Sequence, residues 1–550
     1  MKRFFALFAA LCLILCFIPA ETQAAAPAPN PVMRIGLYAG NNALIAANLQ
    51  NHTGEGYIFG YLDGDRQFQA IAETGETKIT MVKNRNVYID SAANYRDTSF
   101  DGATLLGAFH DEIGTYPTYE EAAGKVTALR ADKKPAFVSY VSGKWHVRSG
   151  SYADSGGGTR VSGSKYCVSV VRTGTNDIIF QFDGGESRWL AVQGRPVGGK
   201  KPITYFKGYR YNGTFEYRRM DGNNITVVNA VEMQDYLKGI LPYEMSASWP
   251  LEALKAQAVS AKSFALANRG KHSSGGYDLC PTTCCQVYNG TAAANEHSDR
   301  AVDETYGYYL THNGTVCNTV YHSSNGGATE NSENVWVSTV PYLRGVVDPY
   351  EDLEKASYGS WSYVYTNSQL TTFMRERGYP NSGIVNFYVE KYTEMGNVHT
   401  IALVDSSGKK MTFSKESARL LFNSSSLGIT RSMRYTVNSG NSSLTAVSDT
   451  SRKSIQNGEG VYVIGEDGQP KWLPSSGSVR IISGDGTVTG PPVIENSNTG
   501  TYRVDGHGWG HNVGMSQWGA RGMAERGFTF DQILKHYFTG TEITSVIENG

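Results

Sequence analysis

At 550 residues the chain is too long for one hydrophobic core, and roughly two to four domains are expected. Lys and Arg number 50 against 51 Asp and Glu, a net charge of −1, which excludes the basic footprint of a nucleic-acid binder. Charged residues are only 18% of the chain, while 61 Gly and 34 Tyr suit a strand-rich protein with many turns and amphipathic surface rings.

Lys2 and Arg3 precede an apolar run from Phe4 to Ile18, then Pro19 and the small residues Ala24, Ala25 and Ala26. This is the pattern of a secretory signal over residues 1–26. The run is shorter than the roughly 20 residues that span a bilayer, and the alternative is an uncleaved N-terminal anchor. Either way the protein is expected to work outside the cytoplasm. Pro27 to Pro31 is a short extended spacer, followed by short strand-like runs that make 31–110 an N-terminal β-rich module. Residues 117–130 have helical patterning with Thr118 as N-cap and Glu121 completing a capping box. Strands are expected at Ala136–Val141 and Lys144–Ser149. The stretch YEEAAGKVTALRA (119–131) with KWHVRSGSYAD (144–154) resembles SPOR-type repeats, which implies a glycan-binding module over 111–160. An unrelated small α+β unit is the alternative.

From residue 165 the chain is strand-rich again. Asp221-Gly222-Asn223-Asn224 joins two strand-like runs in a hairpin. Glu244 follows, in Leu241-Pro242-Tyr243-Glu244-Met245, and is expected on a turn between Pro242 and a helix opening at Pro250, with Ser248 as cap. Leu251, Leu254, Ala258, Ala261 and Ala265 then mark one face of that helix, with Lys255 and Lys262 off the stripe. A carboxyl anchored between two prolines is a good candidate general acid, because a misplaced proton donor loses rate steeply. A helix-flanking acid is the ordinary alternative. Residues 351–500 carry few motifs and read as an inserted β-rich or mixed module. Residues 501–550 return to a dense pattern, with Gly506-His507-Gly508-Trp509-Gly510-His511 expected to thread a crowded part of the core, and an amphipathic closing helix within Phe528–Phe538. The fold class is therefore α+β, multi-domain and strand-rich.

Seven Cys include Cys12 and Cys16 in the signal, which leaves Cys167, Cys280, Cys284, Cys285 and Cys317. Three of these five crowd into six positions, which suggests a local site rather than a disulfide framework. A Cys280–Cys285 disulfide is the alternative in an oxidising exterior.

Three blocks carry a resemblance. VVNAVEMQDYLKGILPYEMSASWPLEALKAQAVSAKSFALA (227–267), then VYHSSNGGATENSENVW (320–336) with VPYLRGV (340–346), then GHGWGHNVGMSQWGARGMAERGFTFDQILKHYFTGTEI (506–543) are together similar to the stage II sporulation protein D / amidase-enhancer (SpoIID/LytB) family, in family order. The resemblance implies a core spanning 165–350 and completed by 501–550. It also implies a lytic enzyme acting on peptidoglycan glycan strands, or a non-catalytic enhancer that stimulates a cell-wall amidase. It places the family's catalytic Glu on Glu244, its supporting Lys on Lys255, and its Thr and Tyr on Thr329 and Tyr342. A further Lys of the pattern appears as Arg344, which keeps the charge but changes the geometry. Members carrying the Cys segment bind zinc through it, which implies Cys280, Cys284, Cys285 and His272 as ligands here with Cys317 in reserve, and Cys284 stands where a His is usual. Arg344, Gln286 and His511 are the candidate substrate contacts, with a satisfied structural His the alternative for His511. A hydrolytic glycosidase needs two carboxylates. A lytic transglycosylase needs one, and no second carboxylate is evident.

Overall fold

A computed structural model describes residues 30–423, 427–428, 430–438 and 500–545, with the backbone of short strands between residues 444 and 489. The expected signal segment lies outside the described residues. Two large sheets dominate the first half. One has six strands, in the order Val32–Tyr38, Thr226–Glu232, Thr214–Arg218, Leu190–Gly194, Tyr57–Leu62 and Phe68–Thr74. The other has ten and draws on residues from 46 to 211. They share one core, where Phe59 of the first sheet stacks on Phe180 of the second with centroids 4.9 Å apart. The expected hairpin is present, Thr214–Arg218 pairing antiparallel with Thr226–Glu232.

The segment boundaries expected at 110 and 160 do not coincide with boundaries between sheets. The expected helix is α1 (Tyr119–Ala131), and Thr118 caps it by accepting the Glu121 N–H at 3.2 Å. The strands around α1 belong to the ten-stranded sheet, where Ala136–Val141 pairs in parallel with Ile178–Asp183. An exposed strand edge seeks a partner for its backbone groups. The partner here comes from about 40 residues away, which local patterning does not reveal.

The six-stranded sheet delivers the chain to the site. Strand Thr226–Glu232 runs without a break into α2 (Met233–Glu244), which packs on α3 (Leu251–Ala267) and α4 (Glu296–Glu304). Glu244 is thus the last residue of a helix rather than part of a free turn. Pro242 lies inside α2 and removes one backbone donor. The buried Leu237, Ile240 and Leu241 hold the helix together past it, and the Met245 N–H closes the last turn on the Leu241 carbonyl at 3.0 Å. Nor does Pro250 begin the next helix. It lies just outside α3 in extended backbone, while the Ser248 hydroxyl pairs with Ser246 instead of capping. The Ala stripe of α3 is only part of its buried surface: Gln257, Ser260, Lys262 and Ser263 are buried as well. α3 is therefore an axial helix, enclosed by α2, α4, the strand Tyr308–His312 and the closing helices Gln517–Glu525 and Phe530–Tyr537. Among the described residues no helix is long and apolar enough to cross a membrane.

Residues 360–423 and 430–438, with Thr501–His507, build a mixed α+β unit around a second core that includes Trp361, Phe373, Phe387, Phe422 and Tyr502. One of its sheets is Ser360–Thr366, Thr501–His507 and Arg434–Asn438, and a second is Ile384–Tyr392, Val398–Asp405 and Lys410–Ser414. The C-terminal block therefore begins inside the inserted unit and crosses into the main core at Gly508 and Gly510. Both have positive φ, +81° and +133°, and a Cβ on Gly510 would lie 2.5 Å from the Cβ of His322.

Candidate active site

Three separated pieces of chain meet at the end of α2. Tyr321–His322 pairs in parallel with Met515–Ser516, which sets Tyr321 and Gln517 beside Glu244. The C-terminal end of α3 closes one side with Phe264 and Asn268, and the turn after it adds Lys271. The resulting cleft has a volume of about 780 Å³, and Glu244 is the one carboxylate in its lining among the described residues.

Burial pushes the Glu244 carboxyl above its usual range, opposed by hydrogen bonds from the Tyr321 hydroxyl, the Gln517 amide and the Val287 N–H. Gln517 Nε2 donates to Glu244 Oε2 at 3.3 Å. Behind Tyr321 runs a directional chain. The Tyr236 hydroxyl donates to Gln286 Oε1 at 3.1 Å, and Gln286 Nε2 donates to the Tyr321 oxygen at 3.2 Å. With that oxygen already accepting, the Tyr321 proton is directed to Glu244. His511 accepts the Val513 N–H on Nδ1 at 3.1 Å, so its proton resides on Nε2, which bonds the Tyr321 carbonyl. Burial pulls His511 down to about 4, and it is neutral at pH 7. Its ring lies against those of His322 and Trp336, with centroids 5.4 and 5.0 Å away.

The expected site residues divide into two groups. Glu244, Gln286, His511, Cys284 and Cys285 line the cleft. Lys255 does not: its ammonium is held by Glu252 at 2.9 Å and Glu304 at 2.6 Å, on the side of α3 facing α4. The cation in the cleft is Lys271, whose Nζ donates to the Cys284 carbonyl at 2.7 Å. Thr329 is fully buried and accepts the Val346 N–H at 2.8 Å, fixing a loop behind the cleft. The Tyr342 hydroxyl accepts the backbone N–H of Asn318 at 2.8 Å, so it supports a lining residue without lining the cleft itself. Arg344 is paired with Glu333 at 2.5 Å and holds that carboxyl down to about 2. Tyr321, Gln517 and Lys271 lie within or beside the quoted blocks, yet no local pattern distinguishes them from core residues.

His272, Cys280, Cys284 and Cys285 bring one ligand atom each to within 4.8 Å of the others, and all three thiols are unbridged. Sulfurs at ordinary zinc distances sit about 3.8 Å apart in a tetrahedron, so small side-chain adjustments bring this set onto one ion. The donors fit zinc, and four of them fill a closed coordination sphere.

A family model described as stage II sporulation protein (SpoIID) matches residues 221–312, from the hairpin through α2, α3 and the Cys loop. The chain carries a SpoIID-family domain. Among curated relatives, the amidase enhancer of Bacillus subtilis is 31% identical over 324 residues, 56% of this chain and 40% of that protein. The chain thus spans about two fifths of that relative's length. An uncharacterized protein of Brachyspira hyodysenteriae is 29% identical over 69% of this chain and 85% of its own length. Stage II sporulation protein D of Bacillus subtilis is 25% identical over 58% of this chain and 76% of its own.

Proposed function

We propose that this SpoIID-family protein acts on the bacterial cell wall as an exported lytic transglycosylase, cleaving the MurNAc–GlcNAc bond of peptidoglycan glycan strands in sporulation or wall remodelling. The observation that supports this most is the solitary Glu244, half-buried, raised in pKa by burial, and bonded by the Gln517 amide in an open cleft. In the scheme, protonated Glu244 gives its proton to the bridging oxygen and the C1–O bond of the muramic acid breaks. The C6 hydroxyl of the same sugar then bonds to C1 and returns its proton to the Glu244 carboxylate, giving a 1,6-anhydro end. The substrate's own hydroxyl takes the place of the second carboxylate and the water that hydrolysis would need. Tyr321 and Gln517 hold the acid in place and favour its ionised form after transfer.

His272, Cys280, Cys284 and Cys285 would hold a zinc ion. Such an ion would pin the loop that supplies Cys284, Cys285 and Gln286 to the cleft wall, and a closed site gives it no place for substrate.

A second reading keeps its place on a specific observation: Lys255, Thr329 and Tyr342 stand outside the cleft, and one relative is named an amidase enhancer. In that reading the protein binds glycan and stimulates a cell-wall amidase. Peptide-free glycan strands incubated with the protein and with Glu244→Gln, followed by mass analysis, separate the two. Anhydro-ended products from the unsubstituted protein alone support the enzyme. No product from either, with glycan still bound, supports the enhancer.

A further inference from the structure

At Trp509 the cleft wall meets the segment that leads into the inserted unit. Trp509 lines the cleft and is 42% exposed, and Tyr358, from the segment ahead of the inserted sheet, is 44% exposed. The two rings meet edge to face, centroids 4.7 Å apart at 85°. Arg431 lies over Tyr358 at 3.6 Å from its centroid and 5.6 Å from that of Trp509. The Arg431 carbonyl accepts the N–H of Gly510, a cleft residue, at 2.9 Å, which locks this corner to the cleft wall.

Two features here are costly for a surface that only packs. Tyr358 has a φ of +59°, a left-handed conformation that a bulky aromatic rarely adopts and that persists only where its surroundings impose it. The Arg431 Nε is buried without a partner, and among the described residues no carboxylate pairs with its guanidinium. An arginine held flat on aromatic rings, with its fork left free, is suited to bidentate recognition of a carboxylate. Exposed aromatic faces beside it suit the apolar face of a sugar ring.

We propose that Tyr358, Arg431 and Trp509 form an outer subsite of the cleft for an acidic saccharide, with the rings stacking on the sugar and Arg431 binding its free carboxylate. The lactyl carboxylate of a muramic acid unit free of peptide has the required chemistry. This rests on the glycan reading above, and it makes the inserted unit a contributor to substrate choice.

The test uses the full-length protein carrying Glu244→Gln, so that binding is read without cleavage. GlcNAc–MurNAc oligosaccharides are titrated by calorimetry in two forms, with the lactyl carboxylates free and with them converted to neutral amides. The free acid is expected to bind about 10-fold or more tighter, the order of one charge-assisted hydrogen-bonded contact. Arg431→Ala is expected to erase that preference, and Arg431→Lys to restore only part of it. Tyr358→Gly removes the ring and also the strained side chain, since glycine accepts this φ. It is expected to weaken both forms several-fold with melting temperature unchanged or raised, which separates lost binding from lost fold. Equal binding of the two forms, or a preference that survives Arg431→Ala, overturns the subsite. Absence of anhydro product from the unsubstituted protein overturns the enzyme reading and leaves this binding result standing.

Discussion

Replacing Tyr321 with Phe removes one oxygen and keeps the ring that packs in the core. The lost hydroxyl donates to Glu244 and favours its carboxylate, so the substitution acts on a proton equilibrium more than on shape. A hydrogen bond to a charged group contributes about 1.5–3 kcal/mol, and one pKa unit corresponds to about 1.4 kcal/mol. Glu244, already raised by burial, is expected to rise further. Gln286 Nε2 keeps the Ala261 carbonyl at 3.2 Å as acceptor, which limits the structural cost. The direct assay is the carboxyl ¹³C shift of Glu244 against pH, which requires no activity. In the transglycosylase scheme the enzyme starts from protonated Glu244, so activity falls as pH rises through this pKa. Tyr321→Phe moves that alkaline limb to higher pH. An unmoved titration, or one displaced downward, would refute the assignment of Tyr321 as the donor that stabilises the carboxylate.

Other expectations follow from the same structure. Gly510→Ala forces a Cβ to 2.5 Å from His322 at a φ of +133° and should destabilise by about 2–6 kcal/mol, visible as a lowered melting temperature. Glu351 is half-buried near Asp348 and is pushed up to about 7, chiefly by loss of solvation, so between the ordinary carboxyl range and about 7 the folded chain holds a proton the unfolded chain has released. Its contribution to stability therefore falls as pH rises from the ordinary carboxyl range to about 7. Glu351→Gln should flatten that slope in thermal melts. The same change turns an amide nitrogen toward the Gly326 N–H, now bonded at 2.8 Å, and should cost about 1–3 kcal/mol. Elemental analysis should find one zinc per chain, lost from Cys285→Ser. Zinc content unchanged by that substitution would remove the proposed metal site.

Much of this protein was legible in the sequence because the deciding physics is local. Thr118 caps α1 because its side chain reaches the N–H three residues on, and the Asp221–Asn224 turn joins neighbouring strands into a hairpin. His272, Cys280, Cys284 and Cys285 converge because a short loop holds them near one another in any fold. Glu244 was found by its neighbours, though its seat on a helix end was not, since burial of Ile240 and Leu241 outweighs the breaking tendency of Pro242. Contacts between distant segments were decided only by tertiary structure. Lys255 is a cation on the right helix, but the packing of α4 turns it toward Glu304 and leaves Lys271 in the cleft. Tyr321 and Gln517 reach Glu244 because two strands nearly 200 residues apart pair in parallel. The mixing of early and late strands in two sheets has the same cause: backbone groups must be paired, and which strand pairs them depends on the packed core. Sequence alone thus supplied Glu244 and the Cys-rich loop, while packing chose the donors around that carboxyl and brought Tyr358 and Arg431 against Trp509 in the cleft wall.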